Sequence, residues 1–305
     1  MAELEVNPES TASPRNVARE LRRDVMTLTK ARLSILVVIT SLFGFLIATK
    51  DGGFSAALLF HVFLGSILAA FGAAVFNQLM EVDVDARMKR TSDRPLPANR
   101  IPRPAAFVLG WLFCAFGIMH LGVKVNVMAS SMAGITLLTY LFVYTPMKRV
   151  STFNTVVGAV SGAVPPLIGW TGGGGAFFSD GALFLFLLLF LWQMPHFAAI
   201  NWMYREEYAL GGFKMWSNDD ETGAKTGKIA LFFAVLTFLF GAVYPLVSDS
   251  LDWWGCFAGG ALGAVMVWLA VRFLKSGKRN DARTLFFYTL LYLPLMMVAS
   301  YLAWA

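Results

Sequence analysis

The chain has 305 residues, of which 57% are hydrophobic and only 14% are charged, and its formal net charge is +6. Soluble domains carry about 25% charged residues, so this composition excludes an ordinary soluble fold and predicts an integral membrane protein. The apolar runs have the length of helices, and no alternating pattern with a polar lumen face is present, which argues against a β-barrel.

The N-terminal segment, residues 1–27, is predicted to be a partly disordered cytoplasmic lead, followed by a single membrane domain at 28–305. Residues 17–32 mix basic and apolar side chains in the pattern of an amphipathic helix at a membrane surface. Three glutamates precede the first arginine and no apolar run precedes residue 33. We therefore expect neither a transit peptide nor a signal sequence.

The apolar runs that follow predict an all-α bundle of about nine transmembrane helices. The predicted spans are 33–49, 55–80, 105–122, 126–144, 153–171, 181–202, 229–248, 253–274 and 284–303. All but Lys50 and Lys124 of the 25 lysines and arginines then fall on one side. This bias predicts a cytoplasmic N-terminus and a C-terminus on the outside, and it accounts for the net charge without a nucleic-acid partner.

The end of the second span carries the first chemical signal. Asn77, Glu81 and Asp85 recur every four residues, so on a helix they lie within one side, offset by about 40° each. Oxygen ligands in this pattern suit Mg²⁺, and the cations that follow suit phosphate groups. Asp83 lies about 200° from Glu81 and points away. It either binds a second metal or pairs with Arg87 or Arg90.

A second acidic helix end follows the sixth span. Glu206 and Glu207 come one turn after Trp202 and Met203, and Gly211–Gly212 would end the helix. Two acidic ends on the same side would face a shared cavity opening near the cytoplasm. The alternative is that these charges are solvated or paired locally. Asn77 within an apolar span weighs against that alternative, because a buried amide needs a partner.

Two further groups stay open between structural and functional roles. His196, inside the sixth span, is either a hydrogen-bonded core residue or a substrate contact or iron ligand. Lys148 and Arg149, at the end of the fourth span, either anchor the helix at the membrane surface or bind a diphosphate.

These motifs together resemble the intramembrane aromatic prenyltransferase superfamily. Its first motif is an asparagine followed by acids at the fourth and eighth positions, as in Asn77, Glu81 and Asp85. The branch that acts on haem adds a third acid, matched by Asp83, and several further segments. These segments are matched by residues 29–32, 88–96, 144–149, 162–170, 195–197 and 205–208. The resemblance covers roughly residues 28–300.

The resemblance implies an enzyme that transfers the farnesyl group of farnesyl diphosphate to a vinyl group of haem B. Mg²⁺ would be bound with the diphosphate. The implied catalytic and metal-binding residues are Asn77, Glu81, Asp85 and Glu207, with Asp83 as a further metal ligand. The implied diphosphate-binding residues are Arg90, Arg94, Lys148 and Arg149, and the haem-binding candidates are His196, Arg205 and Lys214. The implied setting is the lipid of a bacterial inner membrane, with a haem A synthase or oxidase assembly downstream.

Two departures from the family pattern stand out. Glutamate occupies positions 81 and 207, where the family usually has aspartate, and residues 213–217 replace a usual Pro-Met-Leu-Pro run. The alternative functions are the same chemistry on a quinone-precursor or chlorophyllide ring, or a non-catalytic transporter or haem-handling role. Transporters place polar sites near the bilayer midplane, whereas this chain has its acids at helix ends.

Overall fold

The computed structural model describes residues 14–305, and it is helical throughout. Residues 1–13, half of the predicted lead, lie outside the described part. The helices are α1 (Pro14–Leu28), α2 (Ala31–Ala48), α3 (Ala56–Asp85), α4 (Arg103–Lys124), α5 (Val127–Leu138), a π-helical segment (Thr139–Tyr144), α6 (Thr145–Met147), α7 (Asn154–Ala163), α8 (Pro165–Gly172), α9 (Asp180–Met203), α10 (Arg205–Leu210), α11 (Ala224–Val247), α12 (Gly255–Ser276) and α13 (Arg279–Ala303).

Eight helical segments of the described chain are long and apolar enough to cross a membrane. The predicted span at 153–171 is instead two helices in series, α7 and α8, because Pro165 and Pro166 have no backbone N–H groups to continue the first helix. Every residue of α8 is buried. The bundle therefore contains a broken inner element in addition to its eight continuous spans.

Close helix packing buries α8 against α2. A Cβ atom at Gly169 would stand 1.6 Å from the Ser41 carbonyl oxygen, and one at Gly44 would stand 2.0 Å from that of Pro166. Only glycine permits such an approach of two backbones. Large apolar side chains such as Leu36, Trp111 and Phe116 remain exposed on the outer helices, as expected of a surface in contact with lipid.

The two faces of the bundle differ in their connections. The face at which α3 ends, here called the acidic face, carries the long connections 86–102 and 204–223. On the opposite face, Lys50 donates a hydrogen bond to the Trp304 carbonyl, and the Asp252 amide donates to the Ala303 carbonyl at 2.7 Å. These contacts join the end of α13 to the segment after α2 and to the connection between α11 and α12. The functional groups predicted from sequence gather on the acidic face.

Candidate active site

The predicted stripe forms at the end of α3. Asn77, Glu81 and Asp85 are all buried, with exposed fractions of 0%, 4% and 1%. They occupy the last turns of a 30-residue helix, which ends at Asp85. A buried carboxylate must be paired or bound to a metal. Each member of the stripe consequently has a partner from elsewhere in the chain.

A different cation contacts each of the three side chains. Lys30 Nζ donates to Asn77 Oδ1 at 2.5 Å, and Lys148 Nζ donates to Glu81 Oε1 at 2.8 Å. The Arg94 guanidinium donates to Asp85 Oδ2 at 2.5 Å. The site is thus a row of three oxygen-bearing groups lined by three cationic groups. Such an arrangement can exchange its internal pairs for a metal and an anion that enter together.

Two of these cations differ in their electrostatic surroundings. Burial by itself would lower the pKa of Lys148, but the Glu81 carboxylate outweighs it and raises the pKa above its usual range. Its ammonium also lies over the rings of Tyr144 and Phe213, at 4.6 and 5.5 Å from their centroids. Burial, together with the charge of Arg94, lowers the pKa of Lys30 to about 7. The surroundings therefore favour the charged form of Lys148 and disfavour the charged form of Lys30.

The second acidic helix end lies across from the first. Glu207, on the short helix α10, accepts a hydrogen bond from the Arg90 backbone amide at 3.2 Å. The Arg90 guanidinium stacks 5.1 Å from the centroid of the Tyr204 ring. Glu206 instead faces solvent and pairs with Arg205 at 3.3 Å. The two long connections of the acidic face thus meet at Glu207.

The connection after α10 also reaches the Lys148 segment. The Lys214 amide donates to the Lys148 carbonyl at 2.6 Å, and Asn154 Nδ2 donates to the Lys214 carbonyl at 2.6 Å. Phe213 and Met215 are buried beside Val84 and Met88. The run that departs from the family's usual sequence therefore packs onto the end of α3 through apolar side chains.

Some predicted site residues lie apart from the stripe. Asp83 is 76% exposed and pairs with Arg103 at 3.5 Å, rather than with Arg87 or Arg90. Arg149 donates to the Met80 carbonyl at 3.1 Å. His196 is hydrogen-bonded to Thr289 at 2.8 Å and stacks on Trp192 and Phe286. These contacts match the structural alternative for His196.

Two residues near the site, Lys30 and Arg100, are not among the site residues predicted from the sequence. Lys30 was only part of a matching motif, and its contact with Asn77 spans 47 positions of sequence. Arg100 joins Asp24 of α1 to Asp93 beside Arg94, and these hydrogen bonds, chiefly the one to Asp24, raise the pKa of its guanidinium. No local pattern signals either contact.

The donor set suits Mg²⁺ with a phosphate ligand. Within residues 14–305, no three histidine, cysteine, aspartate or glutamate side chains are positioned together to hold a metal ion. The stripe supplies two carboxylates one helical turn apart and an amide oxygen. Mg²⁺ usually takes one or two carboxylates and completes its shell with water and substrate phosphates. The residues present therefore fit a metal that arrives with a diphosphate.

The fold and this site define a class: polytopic membrane proteins with a row of buried oxygen-bearing side chains and cations at one face of the helix bundle. Residues 37–292 match the UbiA prenyltransferase family, and the chain belongs to that family. It is a prenyltransferase, and the resemblance inferred from its motifs is confirmed.

Relatives and solved structures agree with this assignment. A protein of Opitutus terrae named protoheme IX farnesyltransferase is 40% identical over 279 residues, covering 90% of this chain and 92% of that protein. A structure of digeranylgeranylglyceryl phosphate synthase matches with a TM-score of 0.75 and 16% identity, covering 93% of this chain and 98% of the other. A UbiA homologue from Archaeoglobus fulgidus, bound to GPP and Mg²⁺, matches with a TM-score of 0.66 and 12% identity, covering 90% and 98%.

Proposed function

We propose that this protein transfers the farnesyl group of farnesyl diphosphate to a vinyl group of protohaem IX, giving haem O. The observation that carries the reaction type is the buried stripe in which Asn77, Glu81 and Asp85 each meet a separate cation. The acceptor is assigned from the 40% identical relative, whose name specifies protoheme IX.

Diphosphate binding uses the cations that now hold the stripe. Lys148 and Arg94 turn from Glu81 and Asp85 to phosphate oxygens, and Arg90 and Arg149 lie on the same face as further donors. The freed oxygens of Asn77, Glu81 and Asp85, with Glu207 opposite, are the groups that would hold Mg²⁺; Asp83 remains a proposed outer ligand. The metal supplies Lewis-acid stabilisation of the charge that develops on the leaving diphosphate.

The bond changes are those of an allylic substitution. The C1–O bond of farnesyl diphosphate breaks and its electron pair leaves with the diphosphate. The vinyl π electrons form the new bond to C1, and water then adds to the resulting cation with loss of a proton. The rings of Tyr144, Tyr208 and Phe213 lie around Lys148 or pack together beside it. They exclude water from the allylic cation until the acceptor has reacted.

Haem recognition is proposed to involve Arg205 and Lys214, with His196 as a third candidate. Arg205 lies next to Glu207 on α10 and is partly exposed, and Lys214 is exposed on the connection that contacts Lys148. Cations at these positions suit the two propionates of haem. His196 lies deeper, beside Thr289.

We further propose that the protein is oriented in a bacterial inner membrane with the acidic face in the cytoplasm and the C-terminus outside. The location of all but Lys50 and Lys124 among the 25 lysines and arginines supports this orientation. Haem O would then pass to a haem A synthase or an oxidase assembly.

The test is the mass of haems extracted from a host that lacks its own haem O synthesis and expresses this chain. The expected product is haem bearing a hydroxyethylfarnesyl group, and its absence would refute the proposal. Asp85→Ala should abolish the product while the protein remains folded in membranes. The matched control is Asp219→Ala, since Asp219 is an exposed carboxylate in the 204–223 connection of the same face and has no proposed role in the site. A prenylated quinone precursor or chlorophyllide in place of the haem would identify the alternative acceptor.

A further inference from the structure

A cleft of about 300 Å³ opens on the acidic face beside Glu207. Its walls come from the end of α9, from α10 and from the turn between α12 and α13. Its volume lies at the lower end of the range of small-molecule sites. The cleft is continuous with the candidate active site, because Glu207 lines it and also accepts the Arg90 amide.

One wall of the cleft is aromatic and held in place. The Trp202 indole N–H donates to the Gly277 carbonyl at 3.0 Å, which ties α9 to the turn before α13. The Arg205 guanidinium lies 4.2 Å from the centroid of the Trp202 ring and donates to the Trp202 carbonyl at 3.2 Å. Tyr204 adds a second ring. Trp202 is only 3% exposed and the Arg205 guanidinium covers its ring, so this wall presents a positive charge to the cleft.

A second positive charge faces Arg205 across the cleft. Arg279 is the first residue of α13, lines the cleft and is exposed. Within the described residues it forms no salt bridge. A cation in the first turn of a helix opposes the helix dipole, so its position is unfavourable unless an anion binds there. Arg205 pairs with the exposed Glu206 at 3.3 Å, a surface pair that contributes little, so a ligand carboxylate can replace it. The two arginines then suit a ligand with two carboxylates.

We propose that this cleft binds the propionate edge of the haem acceptor, with Arg205 and Arg279 as the partners of the two carboxylates. This inference rests on the proposed function. Haem is a flat apolar ring with its propionates on one side and its vinyl groups on the other. The propionates enter the cleft, and the vinyl side extends past Glu207 toward the stripe. Arg279 thereby takes the second propionate in place of Lys214, the partner proposed above, because Lys214 lies outside this cleft.

The test is a titration of the full-length purified protein with haem B, followed by the Soret band. Arg279→Gln should raise the dissociation constant about tenfold, the loss expected for one charge-assisted pair that is partly exposed. The matched control is Arg283→Gln, one turn further along α13, where the guanidinium lies over the Phe287 ring and does not line the cleft. The control should stay within about twofold of the wild type.

Haem dimethyl ester is the second probe, because esterification removes both carboxylate charges. It should bind the wild type more weakly than haem binds Arg279→Gln, because the ester loses the Arg205 pair as well, and Arg279→Gln should not weaken it further. The cleft assignment would be overturned if Arg279→Gln and Arg283→Gln weakened haem binding equally. It would also be overturned if Arg279→Gln weakened binding of the ester as much as it weakens binding of haem. If the wild type makes farnesylated haem while Arg279→Gln binds haem normally, the cleft assignment fails and the proposed function stands. If the wild type makes none, the proposed function fails.

Discussion

Arg100 is predicted to position both ends of the cation row without touching the substrate. Its guanidinium donates to the two carboxylate oxygens of Asp24 at 2.9 and 3.0 Å, which holds α1 in place. It also donates to Asp93 Oδ1 at 2.9 Å and to the Asp93 carbonyl at 2.7 Å, next to Arg94. Lys30 follows α1 directly and adopts a left-handed conformation with φ 46°. Arg100→Met should therefore loosen Lys30 and Arg94 together.

The buried carboxylate of Asp24 dominates the expected cost. Its side chain is 8% exposed, whereas that of Asp93 is 84% exposed and contributes close to nothing. Losing the bidentate pair costs about 2 kcal/mol, or about a 30-fold change in the docking equilibrium of α1. Gln78 still holds the Thr27 and Leu28 carbonyls at 2.8 and 2.9 Å, so α1 should undock locally while the bundle stays folded.

The expected result is a KM for farnesyl diphosphate raised about 10- to 30-fold, with kcat changed less than about threefold. Amide hydrogen exchange in residues 14–28 should accelerate in the same variant. Arg103→Met is the matched control, because its pair with Asp83 is 3.5 Å long and both side chains are more than half exposed. If the two variants gave the same KM and the same exchange rates, Arg100 would have no positioning role.

Three further results are expected. Lys148→Met should destabilise the protein by about 3–5 kcal/mol, because Glu81 loses its buried partner, and adding Glu81→Gln should recover most of that loss in detergent unfolding. Asp220→Ala should lower the free energy of unfolding by about 1–2 kcal/mol at neutral pH. Burial acts to raise the Asp220 pKa, but hydrogen bonds from Thr226 and Gly223 lower it below 3.8. The stabilisation is therefore complete above pH 3.8, and the difference between variant and wild type should vanish as pH falls through the lowered pKa. His196→Phe should lower the melting temperature by a few degrees through loss of the Thr289 hydrogen bond. Haem affinity should fall as well, because His196 is a haem-binding candidate, and an affinity within about twofold of the wild type would leave the imidazole a structural role alone.

Local patterns were sufficient for the spans and for the stripe. Helical spacing alone places Asn77, Glu81 and Asp85 on one side, and the structure buries all three. The length of each apolar run likewise predicts a crossing. The exception is the fifth span, where Pro165 and Pro166 divide one apolar run into two helices. The proline pair ends the first helix because neither proline has a backbone N–H group, which outweighs the apolar length of the run.

The partners of the stripe could not be predicted, because they depend on which helices pack together. Lys30 and Asn77 lie 47 residues apart, and Glu81 and Lys148 lie 67 apart. Asp83 shows the same limitation on a smaller scale. The sequence predicts Arg87 or Arg90 as its pairing partner. Because α3 and α4 form an antiparallel pair, the end of α3 instead meets Arg103 at the start of α4.

The internal pairing of the stripe determines how metal and diphosphate must bind. A metal ion alone would have to compete with Lys148 and Arg94 for the carboxylates and would leave those cations unpaired, at a cost of several kcal/mol. A diphosphate alone would place its negative charge beside the carboxylates, which would repel it. When both enter together, every charge regains an opposite partner. The same charge balance explains why glutamate can stand at position 81. Its longer side chain reaches the Lys148 ammonium at 2.8 Å, and Phe213 and Met215 pack beside the end of α3.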